Sequence, residues 1–145
     1  MGLKVYVLPG EKFTLTYSFR GRFQQAVIVK DANGDNVFDK FSVLHPREGI
    51  WEYGPHGGPI GTYFTIEAFH KNERRHVPAS KFFWPNYETE VKRVNGAPNT
   101  ILITIGTEDY IDNNFEDTVL YFKWEKTTRS INDNTLYDFF RSDPY

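Results

Sequence analysis

A chain of 145 residues with 17 Lys and Arg, 19 Asp and Glu and a net charge of -2 is sized for one domain with a real core. It lacks the basic balance of an electrostatic nucleic-acid binder, and its lack of cysteine excludes disulfides, thiol nucleophiles and Cys-based zinc sites. No apolar stretch approaches the ~20 residues of a membrane helix, so no membrane insertion is expected. The opening "MGLKVYVLPGEKF" lacks the basic and apolar regions of a cleavable signal, so a cytoplasmic location is expected.

Aromatic residues make up 17% of the chain, with 13 Phe and 9 Tyr against 1 Met, a mixture that favours strands. In chain order, residues 3–8 open the series of expected strands. In "KFTLTYSF" the side chains of Phe13, Leu15, Tyr17 and Phe19 alternate with Lys12, Thr14, Thr16 and Ser18, the pattern of a half-buried strand. Residues 25–30 and 37–44 follow, separated by Asn33-Gly34, a hairpin signal because both residues tolerate positive φ. The same stretch resembles the opening of an EF-hand loop. It fails the test, because Asn36 stands where Gly is required and Ser42 where a bidentate Glu should sit.

Residues 45–61, "HPREGIWEYGPHGGPIG", read as one Pro- and Gly-rich connection, an Ω-loop or functional rim. Beyond it, 62–71 places Phe64, Ile66 and Ala68 on one face, and 82–84, 89–93, 100–105 and 118–125 complete the strands, with a turn at 95–99. The tail "NDNTLYDFF" holds the best short helical stretch, capped by Asn134. Short strands punctuated by turns imply an all-β protein, an antiparallel β-sandwich over 1–126, with 127–145 as a C-terminal extension packing on the domain or a partner subunit.

Catalytic chemistry finds no foothold. There is no GxSxG elbow, and His45, His56, His70 and His76 are scattered without metal-ligand spacing. Solvated or hydrogen-bonded histidines are expected instead. The basic stretches "KNERRH" and Arg20-Gly21-Arg22 read as solvated corners at strand ends. Trp51, Trp84 and Trp124, with Tyr53, would stack on sugar rings if exposed, whereas Trp124 closes an alternating apolar strand and is expected in the core.

The stretch that departs from this pattern is "GTEDYIDNNFEDTV", residues 106–119. Glu108, Asp109, Asp112, Glu116 and Asp117 crowd a short connection that contains no Lys or Arg. Two explanations are open. The charges lie in water, where salt screens them, or a hard cation is held by oxygens of Glu108, Asp112, Asn114, Glu116 and Asp117, as Ca²⁺ takes about six to eight at about 2.3–2.6 Å.

The stretch resembles the calcium-binding segment of the bacterial calcium-mediated lectins that bind fucose and mannose. That segment has the form G-[ST]-E-D-x-x-D-N-D-[YF]-N-D-x-V-V-x-[IV]-x-W, matched here at Gly106, Thr107, Glu108, Asp109, Asp112, Asn113, Phe115, Asp117, Val119 and Trp124. "LPGEKFTLTYSF" is similar to the family's first strands. The resemblance implies a lectin-like sandwich forming a homodimer or higher oligomer, with Ca²⁺ in the loop coordinated by sugar hydroxyls. Glu108, Asp112 and Asp117 match carboxylate ligands, and Asp109 and Asn113 fall within the ligand-binding motif. Asn114 replaces an Asp shared between two ions, and Glu116 replaces an Asn. Some twenty residues follow Trp124, where the family's chain ends and lends its terminal carboxylate to the partner. One calcium site rather than two is expected, with Arg20 or Arg22 supplying fixed positive charge in place of the second ion. The expected function is calcium-dependent carbohydrate binding. The competing expectation is a non-enzymatic structural or inclusion-body protein on the same fold, with its aromatic tail as the interface.

Overall fold

The computed structural model describes residues 2–20, 24–71, 86–93, 100–108 and 118–125. Every regular element among them is a strand: β1 (Gly2–Val7), β2 (Lys12–Phe19), β3 (Gln24–Lys30), β4 (Asn36–Phe41), β5 (Glu48–Tyr53), β6 (Thr62–Lys71), β7 (Asn86–Arg93), β8 (Thr100–Glu108) and β9 (Thr118–Glu125). They form a four-stranded sheet in the order β1-β6-β3-β4 and a five-stranded sheet in the order β5-β2-β9-β8-β7. All pairings are antiparallel. The expected all-β sandwich is what the chain forms.

Period-two alternation builds the core. On the five-stranded sheet the inward residues pair across β2, β9 and β8 in rows: Phe13–Trp124–Ile101, Leu15–Phe122–Ile103 and Tyr17–Leu120–Ile105. The four-stranded sheet answers with Leu3, Val5 and Val7 of β1, Val27 and Val29 of β3, and Phe64, Ile66 and Ala68 of β6. All of these are buried, and each large apolar side chain so removed from water stabilises the fold by about 1.5–3 kcal/mol. Ring contacts such as Trp51–Phe64, at 5.1 Å, and Tyr17–Phe38, at 5.9 Å, cross from one sheet to the other.

The hairpin between β3 and β4 turns where Asn33-Gly34 predicts it. Gly34 has φ +85°, and the Asp31 carboxylate accepts from the backbone N–H of Asn33 (2.9 Å) and Asp35 (3.0 Å). That side chain holds the turn by an Asx-type hydrogen bond, which accounts for the calcium-like spacing without a cation.

One segment overturns its sequence reading. Residues 45–61 are not a single connection, because Glu48–Tyr53 forms β5 and pairs with β2 from Phe13↔Tyr53 to Ser18↔Glu48. The alternation there is masked by chemistry that looks inverted: Ile50 faces out at 58% exposure, while Gly49 faces in. Gly49 is there to make room. A Cβ at that position would stand 2.6 Å from Cε1 and 2.8 Å from Oη of Tyr17, a buried residue whose hydroxyl donates to the Pro46 carbonyl at 2.9 Å. Burial pushes the Tyr17 phenol above its ordinary pKa. Gly49→Ala is therefore expected to cost about 1–3 kcal/mol through overpacking, read as a lower urea midpoint. A neutral result would mean that the Tyr17 ring is free to move.

Smaller boundary changes follow the ladders. The strand expected at 37–44 stops at Phe41, where the N–H groups of Leu44 and His45 turn back to the Phe41 carbonyl. The strand expected at 100–105 continues to Glu108 because Gly106 and Thr107 pair with Val119 and Thr118. The expected elements at 82–84, 95–99 and in the tail, with the 127–145 extension, lie outside the described residues.

Candidate functional site

Strands β2, β4, β6 and β8 end, and β3, β5, β7 and β9 begin, at one end of the sandwich. The register therefore gathers the connections 20–23, 42–47, 72–85 and 109–117 at that end. The acidic connection joins β8 to β9, and its two ends are fixed by the Thr107↔Thr118 pair. Antiparallel partners have Cα atoms about 4.5–5.5 Å apart, so Thr107 and Thr118, which bracket the connection, are held close together.

The base is polar where the rest of the interior is apolar. The row after Tyr17–Leu120–Ile105 is Phe19–Thr118–Thr107, and both threonines are buried. The Thr107 hydroxyl donates to the Thr118 carbonyl at 2.8 Å and accepts from the Thr118 N–H at 3.2 Å. The Thr118 hydroxyl donates to Oε1 of Gln25 on the opposite sheet at 2.7 Å. Gln25 is 1% exposed, and its Nε2 is buried without a hydrogen-bond partner. Its backbone is held on the far side, with its N–H donating to Ser42 Oγ (2.9 Å) and its carbonyl accepting from the Ser42 N–H (2.8 Å). Buried polar groups normally find partners, so this layer is a costly departure from an apolar core directly beneath the acidic connection.

Of the site residues expected from sequence, Glu108 is the last residue of β8, paired with Asn86. Asp109, Asp112, Asn113, Asn114, Glu116, Asp117 and Arg22 lie outside the described residues. Arg20 follows β2 and is exposed, with Nε donating to Ser18 Oγ at 3.0 Å and Nη2 to the Tyr121 hydroxyl at 3.1 Å. Among the described residues no three His, Asp or Glu side chains converge as a metal cluster.

Gln25, Thr107 and Thr118 were not singled out by sequence reasoning. Their one signal is a polar side chain at an inward position of an otherwise apolar strand, as in "QAVIV". His45 and His56 behave as expected. His45 Nδ1 accepts from the Phe41 N–H at 3.0 Å, and the His56 ring bonds to the Tyr53 hydroxyl and, at 2.7 Å, to the Ile60 carbonyl. Trp124 is buried in the core, and Trp51 is half-buried between Phe13, Phe38 and Phe64.

The sequence matches no family model and no curated protein. The structure does find counterparts. It superimposes on the C-terminal domain of the lectin BC2L-C from Burkholderia cenocepacia with a TM-score of 0.60 and 12% identity, covering 88% of this chain and 98% of that one. The chain shares the fold of that domain. The Chromobacterium violaceum lectin CV2L, in complex with alpha-methyl-fucoside, gives a TM-score of 0.56 at 12% identity, over 87% of this chain and 96% of that one. A high-affinity mannose-binding lectin of Ralstonia solanacearum gives 0.56 at 13% identity, with the same coverage. Nearly all of each of these three chains is covered, so the likeness runs through the complete domain and establishes the fold.

Proposed function

We propose that the protein is a calcium-dependent carbohydrate-binding protein and not an enzyme. The observation that carries this reading is the position of the acidic motif, on the β8–β9 connection of a lectin fold and closed by the paired threonines at its base. Glu108, Asp112 and Asp117, with Asn114 and Glu116, would hold one Ca²⁺. When bound, the ion supplies coordination positions that vicinal sugar hydroxyls fill in place of water. A titrating side chain is not needed for that recognition, and specificity comes from hydroxyl geometry and the groups around the ion. Fucose- or mannose-type sugars are the first ligands to test.

The chain after Glu125 leaves from the end of the sandwich opposite the acidic connection, because β9 runs from Thr118 beside Phe19 to Glu125 beside Lys12. This departure point supports assigning residues 127–145 to assembly, as part of a homodimer or larger oligomer. It also favours the second reading, a structural protein assembled through its tail.

Calcium separates the two. A free concentration about one hundred times Kd stabilises by about 2.7 kcal/mol, about 5–10 °C in Tm for a chain of this size, and EDTA should reverse the rise. Asp112→Ala should abolish it. A flat thermal shift would remove the metal from the proposal, and a glycan array blank with and without calcium would favour the structural reading.

A further inference from the structure

The end of the sandwich that carries the acidic connection also carries two guanidinium groups held in place by neutral atoms. Arg20 is tied to Ser18 Oγ and the Tyr121 hydroxyl, at 3.0 and 3.1 Å. Arg47, just before β5, donates from Nη1 to the Phe19 carbonyl at 3.2 Å, while the Phe19 N–H donates to the Arg47 carbonyl at 2.7 Å. The two cations are thus anchored to consecutive residues at the close of β2, and both are exposed.

Neither is neutralised by a carboxylate of the described residues. The ion pair among those residues is Lys30–Glu67, at 3.7 Å on the other sheet. Glu48, opposite Ser18 on the ladder, is exposed and forms no such pair with either arginine. A guanidinium presents five N–H donors. Arg20 and Arg47 spend three between them on hydroxyl and carbonyl oxygens, which orient the groups without cancelling their charge. Planar donors fixed this way match an oxyanion and lose less freedom on binding than a solvated arginine.

Position completes the argument. Phe19 pairs with Thr118, the residue that follows the acidic connection, so the end of β2 to which both cations are anchored adjoins the base of the proposed calcium site, with Arg20 on the β9 side through Tyr121 and Arg47 on the β5 side. We infer that Arg20 and Arg47 form an oxyanion subsite next to that site, and that the carbohydrate bound there is an acidic one, carrying a carboxylate or a sulfate. The inference rests on the reading of the protein as a calcium-dependent lectin. The carboxylates of the acidic connection repel an anionic sugar until a cation offsets their charge, so binding of the acidic ligand should require calcium and weaken with salt.

The test is calorimetric titration of the full chain in calcium with methyl galacturonoside, galactose 6-sulfate and the neutral methyl galactoside, followed by the same series with glucose- and mannose-based sugars. At least one acidic sugar should bind about tenfold or more tighter than its neutral parent, as expected for charge-assisted hydrogen bonds. The carboxylate and sulfate arms then identify the oxyanion. In R20Q/R47Q the acidic-over-neutral ratio should fall about tenfold, and R20K/R47K should recover only part, because lysine lacks the planar fork. R20Q alone, which leaves the Phe19 contact intact, should lower the ratio in the same direction if the double variant folds poorly. Equal affinity for acidic and neutral sugars in the wild type would overturn the subsite and leave the lectin reading standing. No sugar binding, together with no calcium-dependent rise in Tm, would overturn both.

Discussion

Trp124→Ala is expected to cost about 3–5 kcal/mol of folding stability, the largest loss of any substitution considered for this chain. Trp124 is 1% exposed, and its cross-strand neighbours are Phe13 on β2 and Ile101 on β8. It belongs to the row at the far end of the sandwich from the acidic connection. Removing the indole leaves a cavity that rows of β-branched and aromatic side chains cannot close without shifting both flanking strands. Equilibrium urea unfolding followed by circular dichroism would read the loss as a lower midpoint at unchanged slope. Trp124→Phe should recover most of it. A cost below about 1 kcal/mol would show that this row contributes little to the core. Because β9 carries Trp124 at one end and Thr118 at the other, about 20 Å apart at 3.3 Å per residue, any fraction that still folds should keep its response to calcium. Stability and the proposed calcium binding should then be separable along this one strand.

Strand β9 also shows how far the sequence could be read. Its inward residues Leu120, Phe122 and Trp124 and the outward Tyr121 and Lys123 alternate strictly, so its limits, Thr118–Glu125, were legible from pattern alone. So were β2 and β6, whose limits the sequence reading matched. Strand β5 was not, because its inward position at Gly49 is shaped by a ring from the neighbouring strand. A glycine that accommodates Tyr17 looks, in one dimension, like a glycine that breaks a strand. Strand order was equally hidden: alternation says which face a residue takes and nothing about its partner. The acidic motif was legible because five carboxylates within ten residues stand out from the rest of the chain. The layer beneath it was not, since Gln25 lies 93 positions from Thr118 and only the packing of the two sheets brings them together. Arg47 escaped for a similar reason, as its link to Phe19 depends on the β2–β5 pairing.

Gln25→Ala is expected to cost about 2–4 kcal/mol, the sum of a cavity and a stranded hydroxyl. The Thr118 hydroxyl now donates to Gln25 Oε1 at 2.7 Å inside a buried layer, and without that acceptor its desolvation goes uncompensated. A paired design isolates the hydrogen bond from the cavity. Gln25→Leu keeps the volume but strands Thr118, and Thr118→Val strands the Gln25 amide, whose Nε2 is already unpartnered. Each single change should destabilise by about 1–3 kcal/mol, while Q25L/T118V, with both groups apolar, should approach wild-type stability. The cycle would then give a coupling energy equal to the sum of the two single losses, about 2–6 kcal/mol, and additivity within about 0.5 kcal/mol would mean that the inter-sheet hydrogen bond contributes nothing. The double variant also asks why the polar layer is there. An apolar layer would serve folding as well, so its place beneath the acidic connection points to a role in holding Thr118, and with it the exit of that connection, in register with Thr107. If so, Q25L/T118V should unfold like the wild type in EDTA yet show a smaller calcium-induced rise in Tm. An undiminished rise would mean that the threonine pair alone positions the connection.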